Sequence, residues 1–411
     1  MKKLMIAMAS ILTIFLIAGC GNGDSSNSTG KKSDKIVFAY WGDESENRAI
    51  KEAVSAFSEE YPEIEVETQW IQKDYLTKVQ VQIAGNTAAD VYLISGGDLP
   101  GFANSFAEQT LNEEIYLNES VIEPMKFEDV VKAKPFVIKS KVMAINKDLF
   151  KKNNIELPDK AEGMTTEEFE SVVEQLTDDQ ASPTVYGMEP AWFDPWIYTF
   201  GGMQYRNNNT ESNMDAPEVI EAADYVVGLK DKKVHPASEE AEGQSMIEWF
   251  LSGRIGVFTN FGPWNLPQMR DVKGFEWDLV PFVGNGGSKE VNGLAVSKES
   301  KQAENAQIFV DFMTDNPKAQ TIIGANENAY GVPVLSEVVD SFTTIYEDKN
   351  LQAFVDGAYN QTPQETQKNT NEILSVKNTA LQSTTLKDGD KTPAEVFPGL
   401  AKDITKIIQG N

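Results

Sequence analysis

Aromatic rings, carboxylates and turn residues fall together at four places: YWGDE (40–44), EPAWFDPWIYTFGG (189–202), WFLSGRIGVFTNFGPW (249–264) and NAYGVP (328–333). Residues 190–202 alone hold five aromatics, two prolines, Asp194 and a closing glycine pair. Proline cannot donate to a sheet ladder, so Pro190 and Pro195 argue against a core strand. Trp192, Phe193 and Trp196 crowd a charged Asp194, which argues against a core helix with one apolar face. The expectation is a set of loops presenting Trp41, Trp192, Trp196, Trp264 and Tyr330 beside Asp43, Glu44, Asp98, Glu189 and Asp194. Any one of these rings would also serve to fill a core or an inter-domain seam. As a set they suit a pyranose, whose C–H face a ring covers for about 0.5–1.5 kcal/mol by analogy with aromatic pairs. Its hydroxyls donate to carboxylates at about 1.5–3 kcal/mol each. Two platforms and three such bonds bring about −8 kcal/mol, a micromolar affinity, within reach after association costs.

Other chemistries lack their residues. His235 is the only histidine, in a polar KVHPASEE stretch, and Cys20 is the only cysteine. A histidine zinc site, a Ser-His-Asp triad and a Cys-His pair are therefore excluded. Neither a Walker loop nor a dinucleotide glycine fingerprint is present. DGDKTP (388–393) starts like a calcium loop, but its twelfth position is Gly399 rather than glutamate. No cofactor and no metal are expected. Carboxylates are plentiful, so a glycosidase acid/base pair stays open. The net charge of −27, from 63 acidic and 36 basic residues, argues against nucleic acid as a partner.

The elements that must position these residues alternate. IVFAY (36–40) reads as a buried strand, and Ile50, Ala53, Val54 and Phe57 follow at helical spacing. Beyond Pro62, Ile64, Val66 and Thr68 alternate like a strand; Leu76, Val79 and Ile83 suggest a second helix ended by Gly85; VYLIS (91–95) is a third strand. Strand and helix in alternation predict an α/β domain with a largely parallel sheet. Val137–Ile145 reads as one further strand, Phe169–Leu176 and Val219–Val226 as helices, and GLAVS (293–297) as the start of another strand. Helices follow at Ala306–Met313 and at the C-terminus, where Ile404, Ile407 and Ile408 share a face.

The N-terminus fixes the compartment. Lys2 and Lys3 precede an apolar Leu4–Ala18 run that is short for a membrane span and fits a signal peptide over 1–20. The small residues before Cys20 look like a lipobox, so Cys20 is expected to carry the lipid. The polar, glycine- and serine-rich stretch 21–34 is expected to be a flexible tether.

Four further blocks carry a resemblance. VFAYWGDESENRAIKEAVSAFSEEYPEIEVE, VMAINKDLFKKNNIELP, FLSGRIGVFTNFGPW and GLAVSKESKQAENAQIFVDFM stand in the order found in the extracellular solute-binding proteins of sugar ABC importers, the maltose- and multiple-sugar-binding family. The chain resembles that family from about residue 35 to its end. The resemblance implies a periplasmic-binding-protein-like α/β fold: two lobes joined by three crossovers, with a ligand cleft between them. On that pattern the N-terminal lobe is 35–140 with 292–355, and the C-terminal lobe 141–291 with 356–411. Glu189 to Gly202 keeps the family's E-P-x-x-x-x-P-x-x-x-x-x-G-G spacing, which carries an acidic sugar ligand to Glu189 and moves a stacking role from Ala191 to Trp192. Trp264 takes the family's stacking tryptophan, WGDE carries an acidic position to Asp43 with Glu44 beside it, and GGD carries another to Asp98, one residue out of register. The family's late tryptophan is missing, since none occurs after Trp277; Asn371 or Glu372 stands in that region instead.

The implied function is a monomeric, lipid-anchored protein on the extracellular face of a bacterial cytoplasmic membrane. It would capture a neutral oligosaccharide, a short α-glucan by the spacing, and deliver it to the ABC permease transmembrane subunits without catalysis. The alternatives are a secreted glycoside hydrolase, with a pair drawn from Glu189, Asp194, Asp98 and Asp43, or the same fold binding a polyol, peptide or polyamine.

Overall fold

The computed structural model describes residues 34–410, apart from 208, 271, 327, 329, 366 and 368. The expected signal peptide, Cys20 and the tether up to residue 33 lie outside the described residues. The first apolar runs form β1 (Lys35–Tyr40), β2 (Glu65–Trp70) and β3 (Val91–Ser95), separated by α1 (Glu44–Glu60) and α2 (Tyr75–Ala84). β1 pairs in parallel with both β2 and β3, as strands connected by helices should. The run expected as a single strand over 137–145 is two: β4 (Lys134–Ser140) and β5 (Val142–Asn146), broken at Lys141.

From there the chain builds α3 (Thr166–Leu176), β6 (Tyr186–Met188), α4 (Phe193–Thr199), α5 (Pro217–Asp231), β7 (Ile255–Phe261) and β8 (Trp277–Pro281). It continues with β9 (Ser288–Val296), α6 (Ala303–Asp315), β10 (Val332–Pro333), α7 (Gln352–Asn360), β11 (Thr362–Pro363), α8 (Thr370–Gln382) and α9 (Pro393–Gln409). β9 begins five residues before the expected Gly293, so Lys289 and Glu290 are strand residues.

Two sheets result. The first has the order β10-β4-β9-β3-β1-β2, with β11 added beside the start of β9. In it β9 runs antiparallel to β3 and β4, so the sheet is mixed rather than wholly parallel. The second has the order β8-β5-β7-β6. One face of the first sheet packs against α1 and α6 through Phe38, Phe57, Leu294 and Phe309. One face of the second packs against α3, α5 and α9 through Phe169, Val219, Val257 and Phe397. A third cluster runs from Ile94 and Ile138 through Phe354 of α7 to Ala144 and Phe261, joining the remaining faces. Among the described residues no helix is long and apolar enough to cross a membrane.

The chain passes between the sheets three times: at Lys141, between β8 and β9, and after α7. One side chain gathers these passages. The Gln361 carboxamide accepts from the Lys141 N–H at 3.1 Å and donates to the Lys141 carbonyl at 2.6 Å and the Gly286 carbonyl at 3.3 Å. Beside it, wholly buried Lys289 donates to the Ala358 carbonyl in the last turn of α7 and to the Ser120 hydroxyl, each at 2.6 Å. Burial pulls its ammonium down to about 8. Replacing Gln361 by alanine strands a backbone N–H and two carbonyls at a site where Gln361 is itself buried. Gln361→Ala is expected to lower stability by about 1–3 kcal/mol, read from urea unfolding; an unchanged midpoint would show that water replaces the carboxamide freely.

Candidate functional site

At the C-terminal ends of β1 and β3, where an α/β sheet opens its loops to ligands, lies a cavity of about 550 Å³. Its first-sheet wall is Trp41 after β1, Ser95 to Asp98 after β3, Asp74 to Thr77 at the start of α2, and Glu290 with Val291 on β9. Pro363 and Gln364 continue this wall beside β9, and the opposite wall is the first turns of α8, with Thr370, Asn371 and Leu374. Ile373 and Leu381 of the same helix are buried in the core of the second sheet, so α8 shows one face to each. A second hollow of about 210 Å³ shares Leu76, Asp98, Thr370 and Asn371 with the first and adds Gln80 and Glu372. The two make one groove.

The half-buried Trp41 ring rests on Tyr75, centroid to centroid 4.9 Å. Tyr75 is anchored in turn, its hydroxyl donating to the Leu93 carbonyl at 2.8 Å and the Ala39 carbonyl at 3.1 Å. A ring fixed from behind and open in front is a stacking platform that loses little entropy on binding.

Of the residues singled out from the sequence, Trp41, Asp98 and Glu372 meet at this groove. Asp43 and Glu44 are exposed at the start of α1, where the Asp43 Oδ1 accepts from the Ser45 and Glu46 N–H groups and the Ser45 hydroxyl. Trp192 is 59 % exposed, with the Lys141 ammonium 5.9 Å from its ring centroid. Trp264 lies half-buried in a short turn, 5.8 Å from the Lys139 ammonium. Asp194 pairs with buried Lys377 at 2.5 Å, and Lys377 also donates to Gln204.

Three residues sit otherwise than expected. The stretch from Phe193 is a helix, α4, with Trp196 wholly buried against Phe169, Tyr225 and Phe282. Pro195 falls in its first turn, where the N–H would lack an intrahelical partner anyway, and Asp194 is favourable there at the positive end of the dipole. Gly201, at φ +72°, receives the chain beyond the helix. Tyr330 is also wholly buried; its ring lies 4.5 Å from Lys139 and packs on Phe136. Glu189 is 3 % exposed and turned into the sheet. Because β6 pairs with β7 at Met188 and Val257, Glu189 lands beside Thr259. Its carboxylate accepts from the Thr259 N–H at 2.9 and 3.0 Å, the Thr259 hydroxyl at 2.7 Å and the Asn260 N–H at 2.9 Å. Burial raises its pKa, and these donors hold it back.

The sequence reading passed over Glu290, Tyr75 and the lysines at 139 and 141. Lys139 lies inside the walls, paired with buried Glu46 at 2.6 Å. A charged pair in mid-strand, Lys289-Glu290, was the available signal for the β9 residues.

Among the described residues lining the larger cavity there are three carboxylates, Asp74, Asp98 and Glu290, and no cation. Burial, and then the charge of Glu290, push the Asp98 carboxyl up to about 6, with the Ser95 hydroxyl opposing. A carboxyl whose pKa is higher folded than unfolded holds its proton more tightly in the folded state. Stability from this group is therefore fullest below the ordinary carboxylate range and is lost as pH rises to about 6. Asp98→Asn is expected to gain roughly 1–3 kcal/mol over wild type at neutral pH, with the gain vanishing near pH 4. Urea unfolding at the two pH values checks this.

Comparison with known proteins agrees with this geometry. Residues 41–320 match the family described as bacterial extracellular solute-binding protein. Among solved structures, the chain is similar to an ABC substrate-binding protein of Listeria monocytogenes in complex with cycloalternan: 25 % identity, TM-score 0.81, covering 91 % of this chain and 99 % of that one. It shares its fold with maltose-bound MalE3 of T. maritima, at 19 % identity and TM-score 0.74 over 91 % and 99 % of the two chains. The cyclic α-maltosyl-1,6-maltose binding protein of Arthrobacter globiformis shares it too, at 15 % identity and TM-score 0.74 over 92 % and 99 %. The chain belongs to the bacterial extracellular solute-binding proteins, and its fold is their two-lobed, periplasmic-binding-protein-like α/β architecture.

Proposed function

We propose that this solute-binding protein captures a neutral oligosaccharide, a short α-glucan, between its two lobes and hands it unchanged to the transmembrane subunits of an ABC importer. The observation that carries the reading is the groove itself: the Trp41 ring braced by Tyr75, with Asp98 and Glu372 as acceptors and Asn371 opposite. Sugars present this combination of apolar ring face and hydroxyl donors. The absence of a cation among the described lining residues fits a neutral ligand better than a phosphorylated or carboxylated one. The bound cycloalternan and maltose of the similar structures favour an α-glucan. The lobes, taken as 35–140 with 292–355 and 141–291 with 356–411, close around the ligand, and the closed shape is what the permease reads. Lipidated Cys20 and the stretch 21–34 keep the monomer at the extracellular face of the membrane.

Titration calorimetry of the purified protein against maltotetraose, isomalto-, xylo- and arabino-oligosaccharides, cycloalternan and spermidine tests this. Saturable binding of one α-glucan series, with the sugar recovered intact, is the expected result. Sugar consumed during the titration would make the protein a glycoside hydrolase, and a signal from spermidine alone would replace the sugar reading. Trp41→Ala is expected to weaken glucan binding more than about tenfold, the loss of one stacking platform and its desolvation, with the circular dichroism spectrum unchanged.

A further inference from the structure

Glu290 stands in an unusual position for a carboxylate. It sits on a central strand of the first sheet, between wholly buried Lys289 and Val291, and its side chain lines the cavity. Asp98 apart, the other carboxylates buried or half-buried around the cleft are committed. Glu189 is bonded to Thr259 and Asn260, Glu46 to Lys139, Asp194 to Lys377, and Glu365 to the Gln204 N–H. Among the described residues the Glu290 carboxylate has no hydrogen-bond or ion-pair partner, its backbone alone being paired, across from Lys139. Its charge is nevertheless felt by Asp98 across the cavity and by Lys141 on the first passage between the sheets. Half-buried and open to the cavity, this carboxylate is free to accept from the hydroxyls of a ligand.

We propose that Glu290 contacts the ligand and sets its specificity, acting with Asp98 as a pair of acceptors for hydroxyls of one sugar unit. This rests on the reading of the cavity as an oligosaccharide site. Like charges facing one space disfavour a uronate or sugar phosphate, which would add another, and reward a ligand rich in hydroxyl donors. Asp98 is faced by Glu290 from β9, Ser95 from β3, Asp74 and Tyr75 from α2 and Glu372 from α8. Lys141 is the cation that offsets Glu290. Hydroxyl donors favour ionised Asp98, so affinity should fall as pH drops through about 6. Removing the charge at 290 lowers the Asp98 pKa, so the fall should begin at lower pH.

The test is calorimetry of maltotetraose and cycloalternan binding to wild type, Glu290→Gln and Glu290→Asp between about pH 4 and 8. Glu290→Gln is expected to bind about tenfold or more weakly at neutral pH, with its pH break displaced downward. Glu290→Asp, which keeps the charge but withdraws the carboxylate, is expected to lose affinity while keeping the wild-type break. Carbon-detected NMR of the Asp98 carboxyl without sugar reads the same displacement and confirms that the variants are folded. Wild-type affinity and an unmoved break in Glu290→Gln would overturn the role of Glu290 and leave the sugar reading standing. Failure of wild type to bind either glucan, or any other neutral oligosaccharide, would overturn the reading of the cavity and this role with it.

Discussion

The carboxamide of Gln361 is the constraint on which the geometry of the groove depends. It holds the backbone of Lys141 and of Gly286 while standing at the end of α7, and so reaches all three passages between the sheets. The groove is built just beyond those passages. Pro363 and Gln364 follow Gln361 within three residues, and Glu290 follows Gly286 within four. Hydrogen bonds have directional preferences that packed methyl groups lack. An amide that both donates and accepts at this point fixes the relative rotation of the strands leaving it, and with them the two walls. Lys289 adds to this by tying β9 to the last carbonyls of α7, where a cation is favourable to the helix dipole.

Away from these passages the energetics are those of two apolar cores. Much of the charge near the cleft is bonded, as at Glu46, Asp194 and Glu365, whereas Asp98 and Glu290 face the cavity. Glu189 shows the cost of the alternative: three donors, the Thr259 N–H and hydroxyl and the Asn260 N–H, hold its carboxylate inside the sheet, and burial still raises its pKa. A residue so fully engaged serves the junction of β6 and β7.

Much of the architecture could be read in the sequence because apolar periodicity reports on local burial. The first three strands, their helices and the C-terminal amphipathic helix follow directly from it. The break at Lys141 was passed over although the polar Lys139-Ser140-Lys141 interrupts the apolar run there; Gln361, which holds the break, is far away in sequence. Trp41 and Asp98 were legible as loop residues after predicted strands. Trp196 was not, because a proline in a helix's first turn and a proline that ends a helix look alike until the start of the helix is known. The burial of Tyr330 and Glu189 was hidden for a different reason. Their surroundings, Phe136 and Thr259, are far away in sequence, and no local pattern carries that information.

The charges of the groove are unevenly shared. Asp74, Asp98 and Glu290 all belong to the wall built on the first sheet, whereas the larger cavity's opposite wall on α8 offers neutral Thr370 and Asn371. The braced Trp41 ring is on the charged side as well. If the proposed closure operates, a molecule that satisfies this wall would reside there alone before the second wall arrives. Capture would then have an order in time: landing on one surface, then covering by the other. The residence time on the open surface, rather than the speed of covering, would decide which solutes are retained from a mixture.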